Sequence, residues 1–282
     1  MKLNFKYYFF KKLYIHFYIL ALVNIFFSTD IIHAKTFSIE DIEISTPFEI
    51  NFDKNEIIDK SFTKAFTQLI LSIVQIENQK KLNKTSLGEI KGMIETFSIK
   101  EEKFINEIYY LTLNVSFNKK KIFNFLESKN IFPSLPIKKN ILFIPIIMDE
   151  EKDEILMFSE SNLFNRWNLN IKKYHLLKYV LPAEDLDDFN LIKANSKNLE
   201  NYDFKEIIKK YNLSDYIITI IFINNKEIRV LNKINFNAKE DLKNIRFKKI
   251  AFNDDNDVEQ FTENLKSIFE NDWKSKNEIN TS

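Results

Sequence analysis

The sequence contains no cysteine among its 282 residues and only two glycines, and each shortage excludes a class of chemistry. Without cysteine there can be no disulfide bond, no thiol nucleophile and no cysteine-ligated metal. Loops that cradle phosphate groups need several glycines so that the backbone can approach the ligand, and Gly88 and Gly92 do not lie in such a loop. The sequence therefore excludes a P-loop and a glycine-rich dinucleotide site.

Histidine is nearly absent too, which restricts nucleophilic catalysis. Of the three histidines, only His175 lies beyond residue 34. A serine triad would have to use it, and the Gly-x-Ser-x-Gly nucleophile elbow cannot be built from the glycines present. We expect His175 to have a surface or packing role, and we predict no catalytic residues, no metal and no cofactor.

The chain also lacks an excess of charge of one sign. The formal net charge is +1, and beyond residue 34 there are 37 basic and 39 acidic residues, a net charge of −2. A nearly neutral body gives no electrostatic reason to bind nucleic acid or an anionic membrane surface. The 28 phenylalanines accompany abundant lysine, asparagine and isoleucine, so we attribute them to a coding bias toward AT-rich codons.

The N-terminus has the order of a secretory signal. Four lysines and no acid occur in residues 1–12, residues 13–27 are almost wholly apolar, and Ala34 offers a small residue at a cleavage point. The apolar run is shorter than the roughly 20 residues of a spanning helix. We interpret residues 1–34 as a signal peptide, with an uncleaved anchor as the alternative. Either interpretation predicts a periplasmic protein, touching the inner membrane only through residues 13–27 if the signal is retained.

Hydrophobic periodicity predicts two small α/β (α+β) domains, each a mixed or antiparallel sheet covered by helices. The first, 36–132, has the order β-α-α-β-β-α. It contains a long amphipathic helix from Ile58 and a strand 108–117 that alternates apolar and polar residues. Two prolines, Pro133 and Pro136, mark the boundary. The second domain is 139–277, with a mixed sheet, and 278–282 form a disordered tail.

The second domain begins with the apolar run Ile141 to Met148, which is typical of a central strand buried on both faces. Pro145 opposes that assignment because it cannot donate to a strand ladder, so we expect a bulge or an edge there. Further elements are predicted as a helix 156–168, a short strand 179–181, a helix from 204, a hairpin 216–223 and 227–235, a strand 245–252 and a last helix 258–273.

Residues 141–223 resemble a family of uncharacterised Gram-negative secreted proteins, known as domain of unknown function twenty sixty-six. The resemblance is carried by the strand with Pro145, the aromatic segment from Phe158 to Trp167, the run Val180-Leu181-Pro182-Ala183-Glu184-Asp185, and Tyr211 leading into an apolar strand. Ala183 stands where the family often has glycine, and Phe158 and Phe164 where it often has tryptophan. The resemblance implies an envelope location and an α/β architecture, and it implies no activity.

The acidic loop after the predicted strand 179–181 is the strongest candidate for chemistry. It holds Glu184, Asp185, Asp187 and Asp188, and α/β sheets often bind ligands where strands end. With the acids of 149–153 it could form an all-oxygen site for Ca²⁺ or Mg²⁺. The alternative, which we favour, is that the loop caps a helix, because carboxylates beside a helix N-terminus are stabilised by its unpaired N–H groups.

The aromatic segment offers a second candidate site, formed by Phe158, Phe164, Arg166 and Trp167. Tryptophan and arginine are enriched in binding hot spots, although at helical spacing they more often pack against a sheet. Arg166 is one of few arginines, and we expect it to pair with an acid of the loop 184–188.

Three functional hypotheses follow. The first, which we favour, is a non-enzymatic periplasmic scaffold or binding factor whose partners are other envelope proteins. The second is a metal-dependent hydrolase that uses the loop 184–188, and the third is a carrier of an apolar ligand that uses the aromatic segment. The topology of both halves resembles small α/β modules used by periplasmic assembly factors and secretion-system scaffolds, which is an analogy of fold only.

Overall fold

The computed structural model of the chain describes residues 37–279, and it confirms a mixed α/β protein with helices packed on antiparallel and mixed sheets. The predictions for residues 1–34 therefore lie outside the described residues. None of the described helices has the length and apolar character needed to cross a membrane.

The described chain divides into two compact units. One contains the residues up to Leu69 and Thr85–Phe125, and the other contains Ile70–Lys84 and the residues from Leu126 on. The sequence placed all of 36–132 in the first domain, so segment 70–84 groups differently from that expectation. Long-range hydrogen bonds join this segment to the rest of the second unit, for example from Ser134 N to Ile73 O (2.7 Å) and from Ile76 N to Asn271 Oδ1 (2.9 Å). The local sequence pattern does not predict these bonds.

The first unit is a three-stranded antiparallel sheet of order β1-β3-β2 with helices on one face. Its elements are β1 (Ser38–Pro47), helix α1 (Lys54–Ile73, which continues into the second unit), α3 (Leu87–Met93), β2 (Ile94–Ile105), β3 (Ile108–Phe117) and α4 (Lys119–Glu127). A short helix α2 (Ile76–Gln79) and a 3-10 turn (Lys80–Leu82) follow α1 and belong to the second unit.

The alternation of β3 determines which face of this sheet is covered. The predicted inward residues of β3 are buried, and α1 packs against the sheet through Phe62, whose ring meets Phe97, and Phe66, whose ring meets Phe117. Helix α3 starts with a full capping box between Ser86 and Glu89, as its sequence favours. The buried residues of β3 are Tyr109, Leu111, Leu113, Val115 and Phe117.

The second unit is a six-stranded mixed sheet of order β5-β4-β7-β8-β9, with β6 also paired to β4. Its strands are β4 (Lys139–Asp149), β5 (Glu154–Leu156), β6 (Leu177–Val180), β7 (Tyr216–Ile223), β8 (Glu227–Phe236) and β9 (Lys239–Lys248). Its helices are α5 (Asn162–Arg166), α6 (Leu186–Ala194), α7 (Lys205–Lys209) and α8 (Asp255–Lys276), with 3-10 turns at Phe158–Glu160 and Ser196–Asn201.

This sheet is buried on both faces, because successive side chains of β4 enter different cores. Ile141 and Phe143 pack with Leu265 and Phe269 of α8, whereas Leu142 packs on the other face with side chains of α6, α7 and the intervening turn. The continuous apolar run of β4 is therefore explained by a central strand in a three-layer arrangement.

Pro145 lies in β4 at a point where the strand has one neighbour. On one side Pro145 pairs with Thr219 of β7. On the other side, β6 pairs with β4 only as far as Leu142, and β5 pairs with β4 only from Ile147 on. Residues 143–146 of β4 therefore have no partner strand on that side. The predicted local edge is confirmed, and it explains how a residue without an N–H group is accommodated.

Two predicted elements of this unit are wrong in their extent. The helix expected over 156–168 is reduced to a 3-10 turn and the short α5, because Phe158 adopts a left-handed backbone (φ 51°) that interrupts a helix. The strand expected over 245–252 begins earlier, at Lys239, because Asn237 and Ala238 form a tight turn that pairs β9 with β8.

Residues 278 and 279, expected in a disordered tail, are bonded instead, since Ile279 N donates to Pro133 O (2.9 Å). Residues 280–282 lie outside the described residues.

Candidate functional site

The acidic loop 184–188 builds the start of a helix. Asp185 is the N-cap of α6, and its carboxylate accepts the N–H groups of Asp187 (2.9 Å) and Asp188 (3.3 Å). Lys210 Nζ donates to both Asp185 (2.7 Å) and Asp188 (2.6 Å). The hydrogen bond from Lys210, before any other cause, lowers the pKa of Asp185. Both carboxylates thus pair with the Lys210 ammonium group, and Asp185 also caps the helix, so their partners lie within the protein.

Glu184 is the residue that connects this loop to the aromatic segment. Its carboxylate accepts the backbone N–H of Ser159 at 2.9 Å. The expected bridge from Arg166 to the loop 184–188 is wrong: Arg166 Nη1 pairs with Asp255 Oδ2 at 2.9 Å, at the first turn of α8. The reason is the short length of α5, which ends at Arg166, so that its side chain reaches the start of α8. Asp187 is exposed.

The aromatic residues of the segment 158–167 are divided between the two cores of the second unit. Trp167 is fully buried and stacks on Phe143 with ring centroids 3.8 Å apart, on the α8 face of the sheet. Phe158 and Phe164 meet edge to face and pack on the opposite face. The structure therefore separates the predicted aromatic site into two packing roles. Within residues 37–279 no group of three or more histidine, aspartate or glutamate side chains is placed to hold a metal ion.

Helix α8 carries a row of ionisable side chains along its buried side. Glu270 accepts the N–H groups of Leu176 (2.9 Å) and Leu177 (2.9 Å). Burial raises the pKa of the Glu270 carboxyl in spite of these bonds. One turn later, Lys274 Nζ donates to the carbonyl oxygens of Leu71 and Val74. The row therefore fixes two neighbouring segments to α8 through their backbones.

Lys266, in the same row, is buried without a hydrogen-bond partner among the described residues. It is 1% exposed, its Nζ lies 3.6 Å from Glu263 Oε1, which is too long for a hydrogen bond, and 5.5 Å from the ring centroid of Trp167. Burial lowers the pKa of Lys266 and raises that of the buried Tyr179 hydroxyl. Both side chains are buried, so we assign them to the packing of the core.

A basic cavity of about 580 Å³ opens in the second unit beside this row. Residues 138–140, at the start of β4, form one wall, and residues from 171 to 178, leading into β6, form the other. Its volume is in the range of sites for small ligands. The lining residues are Lys138, Lys139, Asn140, Ile171, Lys172, Lys173, His175, Leu176, Leu177 and Lys178.

The charge of the whole chain gives no indication of this cavity, because its acidic and basic residues nearly cancel. The signal was nevertheless present, since no acid occurs in residues 128–148 or in residues 161–183. They contain β6 and all of β4 except its last residue, Asp149, and the two strands pair in parallel with Asn140 opposite Lys178. Pairing two acid-free stretches concentrates their lysines on one side of the unit.

An aromatic cluster marks the end of the sheet in the first unit. The rings of Phe48 and Phe104 are 4.9 Å apart, and Phe52 lies 4.7 Å from both Phe48 and Tyr109. Phe104 is 57% exposed and Phe48 49% exposed. These four residues, here called the aromatic cluster, adjoin β2, one of the two edge strands of its sheet. Exposed aromatic groups next to a free strand edge are suited to holding another polypeptide.

No protein-family model and no curated protein sequence matches the chain.

Proposed function

We propose that this protein is a non-enzymatic binding factor of the cell envelope, and that its first unit binds an extended segment of a partner protein by strand addition along β2. The single observation that carries the proposal is the aromatic cluster beside the exposed strand β2. The resemblance of residues 141–223 to a family of secreted envelope proteins supports the location, together with the signal-like order of residues 1–34.

The open edge of β2 provides the backbone groups for strand addition. No described strand pairs with its outer side, and every residue from Glu95 to Ile105 is exposed. A free edge presents a row of unpaired N–H and C=O groups to a second chain. β2 has register shifts near Ile94 and between Ile99 and Glu101, so its longest regular stretch is 101–105.

The regular stretch 101–105 is also where the aromatic cluster lies. Phe104 belongs to the strand itself, and Phe48 contacts its ring from the segment after β1. In strand addition, the backbone supplies affinity, and pockets for alternate side chains supply specificity. We therefore propose that the bound segment is extended and carries an apolar side chain that packs on Phe104 and Phe48.

The location is tested separately from binding. Mass spectrometry of the protein isolated from its host shows a chain beginning after Ala34 if the signal is cleaved. A fused reporter enzyme that is active only outside the cytoplasm then reports export. A full-length chain together with an inactive reporter would contradict the envelope location.

Binding is tested by photo-crosslinking in intact cells. A photoreactive phenylalanine analogue replaces Phe104 in one variant and Phe132, a 51% exposed phenylalanine of the second unit, in a matched control. We expect a crosslinked partner from position 104 and none from position 132. In a second experiment the photoreactive analogue replaces Phe97, and we expect the added substitution Phe104→Lys to reduce crosslinking to the same partner. Equal crosslinking from 104 and 132, or self-crosslinks alone, would contradict strand addition along β2.

A further inference from the structure

The basic cavity of the second unit is a ligand site in its own right, and it does not depend on the proposed function of the first unit. We propose that it binds a ligand with two or more phosphate groups, held by Lys138, Lys172 and Lys178 with His175 beside them.

Every charged residue of the lining is basic. Five of its ten residues are lysines, one is a histidine, and none is an acid. Like charges around one opening repel each other, so the arrangement lowers stability unless an anion occupies it. A concave surface of one sign also focuses the electrostatic field and concentrates counter-ions.

The positive charges are compensated only in part. Lys139 pairs with Asp215 at 2.6 Å, and that carboxylate is almost fully buried, so this pair is internally neutral. Among residues 37–279, the ammonium groups of Lys138, Lys172 and Lys178 make no hydrogen bond and no ion pair. At least three positive charges are therefore available to a ligand, which calls for an anion with more than one charge.

His175 supplies a neutral hydrogen-bond donor to the same cavity. Its Nδ1 accepts the backbone N–H of Lys172 (3.4 Å), which places the proton of the neutral ring on Nε2. Burial first, and then Lys266, Lys172 and Lys274, lowers the pKa of His175 to about 4. A bound polyanion would oppose the effect of these lysines, so the ring also reports on occupancy.

The chemical class of the ligand follows from the residue types and the size of the cavity. Lysine binds phosphate as a point charge, and several lysines around one cavity suit a ligand that carries several phosphate groups. A cavity of about 580 Å³ is much larger than a single phosphate requires. Ile171 is 59% exposed at its rim, so a polyphosphorylated ligand with an apolar part also fits.

The test is calorimetric titration of the full chain with inorganic tripolyphosphate, with orthophosphate as the weakly charged comparison. We expect tripolyphosphate to bind, to bind more tightly than orthophosphate, and to weaken as ionic strength rises. The double variant Lys172→Gln, Lys178→Gln should lose about tenfold in affinity. The matched control is Lys197→Gln, Lys226→Gln, which removes two exposed lysines elsewhere in the unit and should leave the affinity within about twofold.

A second set of measurements distinguishes a free polyphosphate from a lipid headgroup. Sedimentation with phosphatidylcholine vesicles that contain cardiolipin, a lipid whose headgroup carries two phosphate groups, is compared with sedimentation with phosphatidylcholine vesicles alone, using the same two double variants. Any contribution of residues 13–27 is the same in both variants, so only the difference between them reports on the cavity. Cavity-dependent binding to either probe supports the proposal and identifies the source. Binding to neither probe, or equal losses in both double variants with unchanged thermal unfolding, would overturn it without affecting strand addition along β2.

Discussion

The indole ring of Trp167 stacks on the phenyl ring of Phe143, in the centre of the core between the sheet of the second unit and α8. This relationship assigns to packing the tryptophan that the sequence offered as a binding hot spot. Trp167→Ala should lower the free energy of unfolding by about 3–5 kcal/mol, because it empties a large buried volume. Chemical denaturation checks this value. Leu169→Ala, at a 64% exposed position two residues away, should change stability by no more than about 0.5 kcal/mol.

A second prediction concerns the polar pair in the middle of the sheet. Thr219 Oγ1 donates to Asn232 Oδ1 at 2.8 Å, and both residues are fully buried on adjacent strands. Thr219→Val should destabilise the protein by about 1–3 kcal/mol, because the Asn232 amide is left without its partner. The double variant Thr219→Val, Asn232→Leu should recover most of that loss in a double-mutant cycle. Additive losses would show that the pair is not coupled.

The pH dependence of stability should reveal Lys274. Burial, partly offset by Glu270, lowers the pKa of Lys274 to about 8 from an ordinary value of 10.5. Between those values the unfolded chain binds more protons than the folded protein, so stability rises with pH across that window. We expect Lys274→Met to remove about 3 kcal/mol of this rise. Unfolding curves of both proteins at several pH values give the difference between their free energies of unfolding. The titration of tyrosines contributes to both proteins and therefore cancels in this difference. If the variant shows the same rise in stability with pH as the wild type, another group must cause the rise.

His175 should make the stability of the protein rise with pH in the acidic range. Its pKa is lowered to about 4, so between pH 4 and its ordinary value of 6.5 the unfolded chain takes up a proton that the folded protein does not. Stability should increase through this window and be fully present above it. Lys172, Lys266 and Lys274 act on the ring, the Tyr174 ring lies 5.0 Å away, and Glu270 bonds the next residue. NMR titration of the imidazole, identified with His175→Asn, measures the pKa directly, and a value near 6.5 would contradict the prediction.

The scarcity of glycine leaves strain in two tight turns, which substitution should relieve. Asn106 and Glu107 join β2 to β3, and Asn237 and Ala238 join β8 to β9, all with positive φ. Such a backbone costs a residue with a Cβ about 1–2 kcal/mol. Glu107→Gly and Ala238→Gly should therefore each raise stability by about 0.5–1 kcal/mol, after the entropic cost of glycine. Asn237→Gly is the control and should gain less, because asparagine tolerates this conformation. A loss of stability in Ala238→Gly would contradict the argument.

The sequence predicted the elements whose pattern is local and strong. The alternation in β3, the apolar runs of β4 and β7, and the helical stripe of α8 each carry their own signal, and the structure confirms them. β9 carries no such pattern, because it is a lysine-rich strand whose position is determined by the turn at Asn237 and by pairing with β8.

The parts of the site that could not be predicted depend on tertiary distances. Lys210 was not expected to bind Asp185 and Asp188, because the partners are more than twenty positions apart and no spacing relates them. Arg166 was assigned to the wrong acid for the same reason, since Asp255 lies far along the chain. The helix cap at Asp185, in contrast, follows from short-range chemistry, and it is present as the sequence favoured.

The parallel pairing of β4 with β7 has a consequence for how the second unit folds. Leu142 pairs with Tyr216, some seventy positions further along the chain, and the intervening segment must be closed into a loop before the contact forms. Structures rich in such non-local pairings fold slowly. Until β7 arrives, the eight apolar residues of β4 remain without their central neighbour and can associate with other chains. Refolding yield should therefore fall as protein concentration rises, and a holding chaperone that shields β4 should restore it.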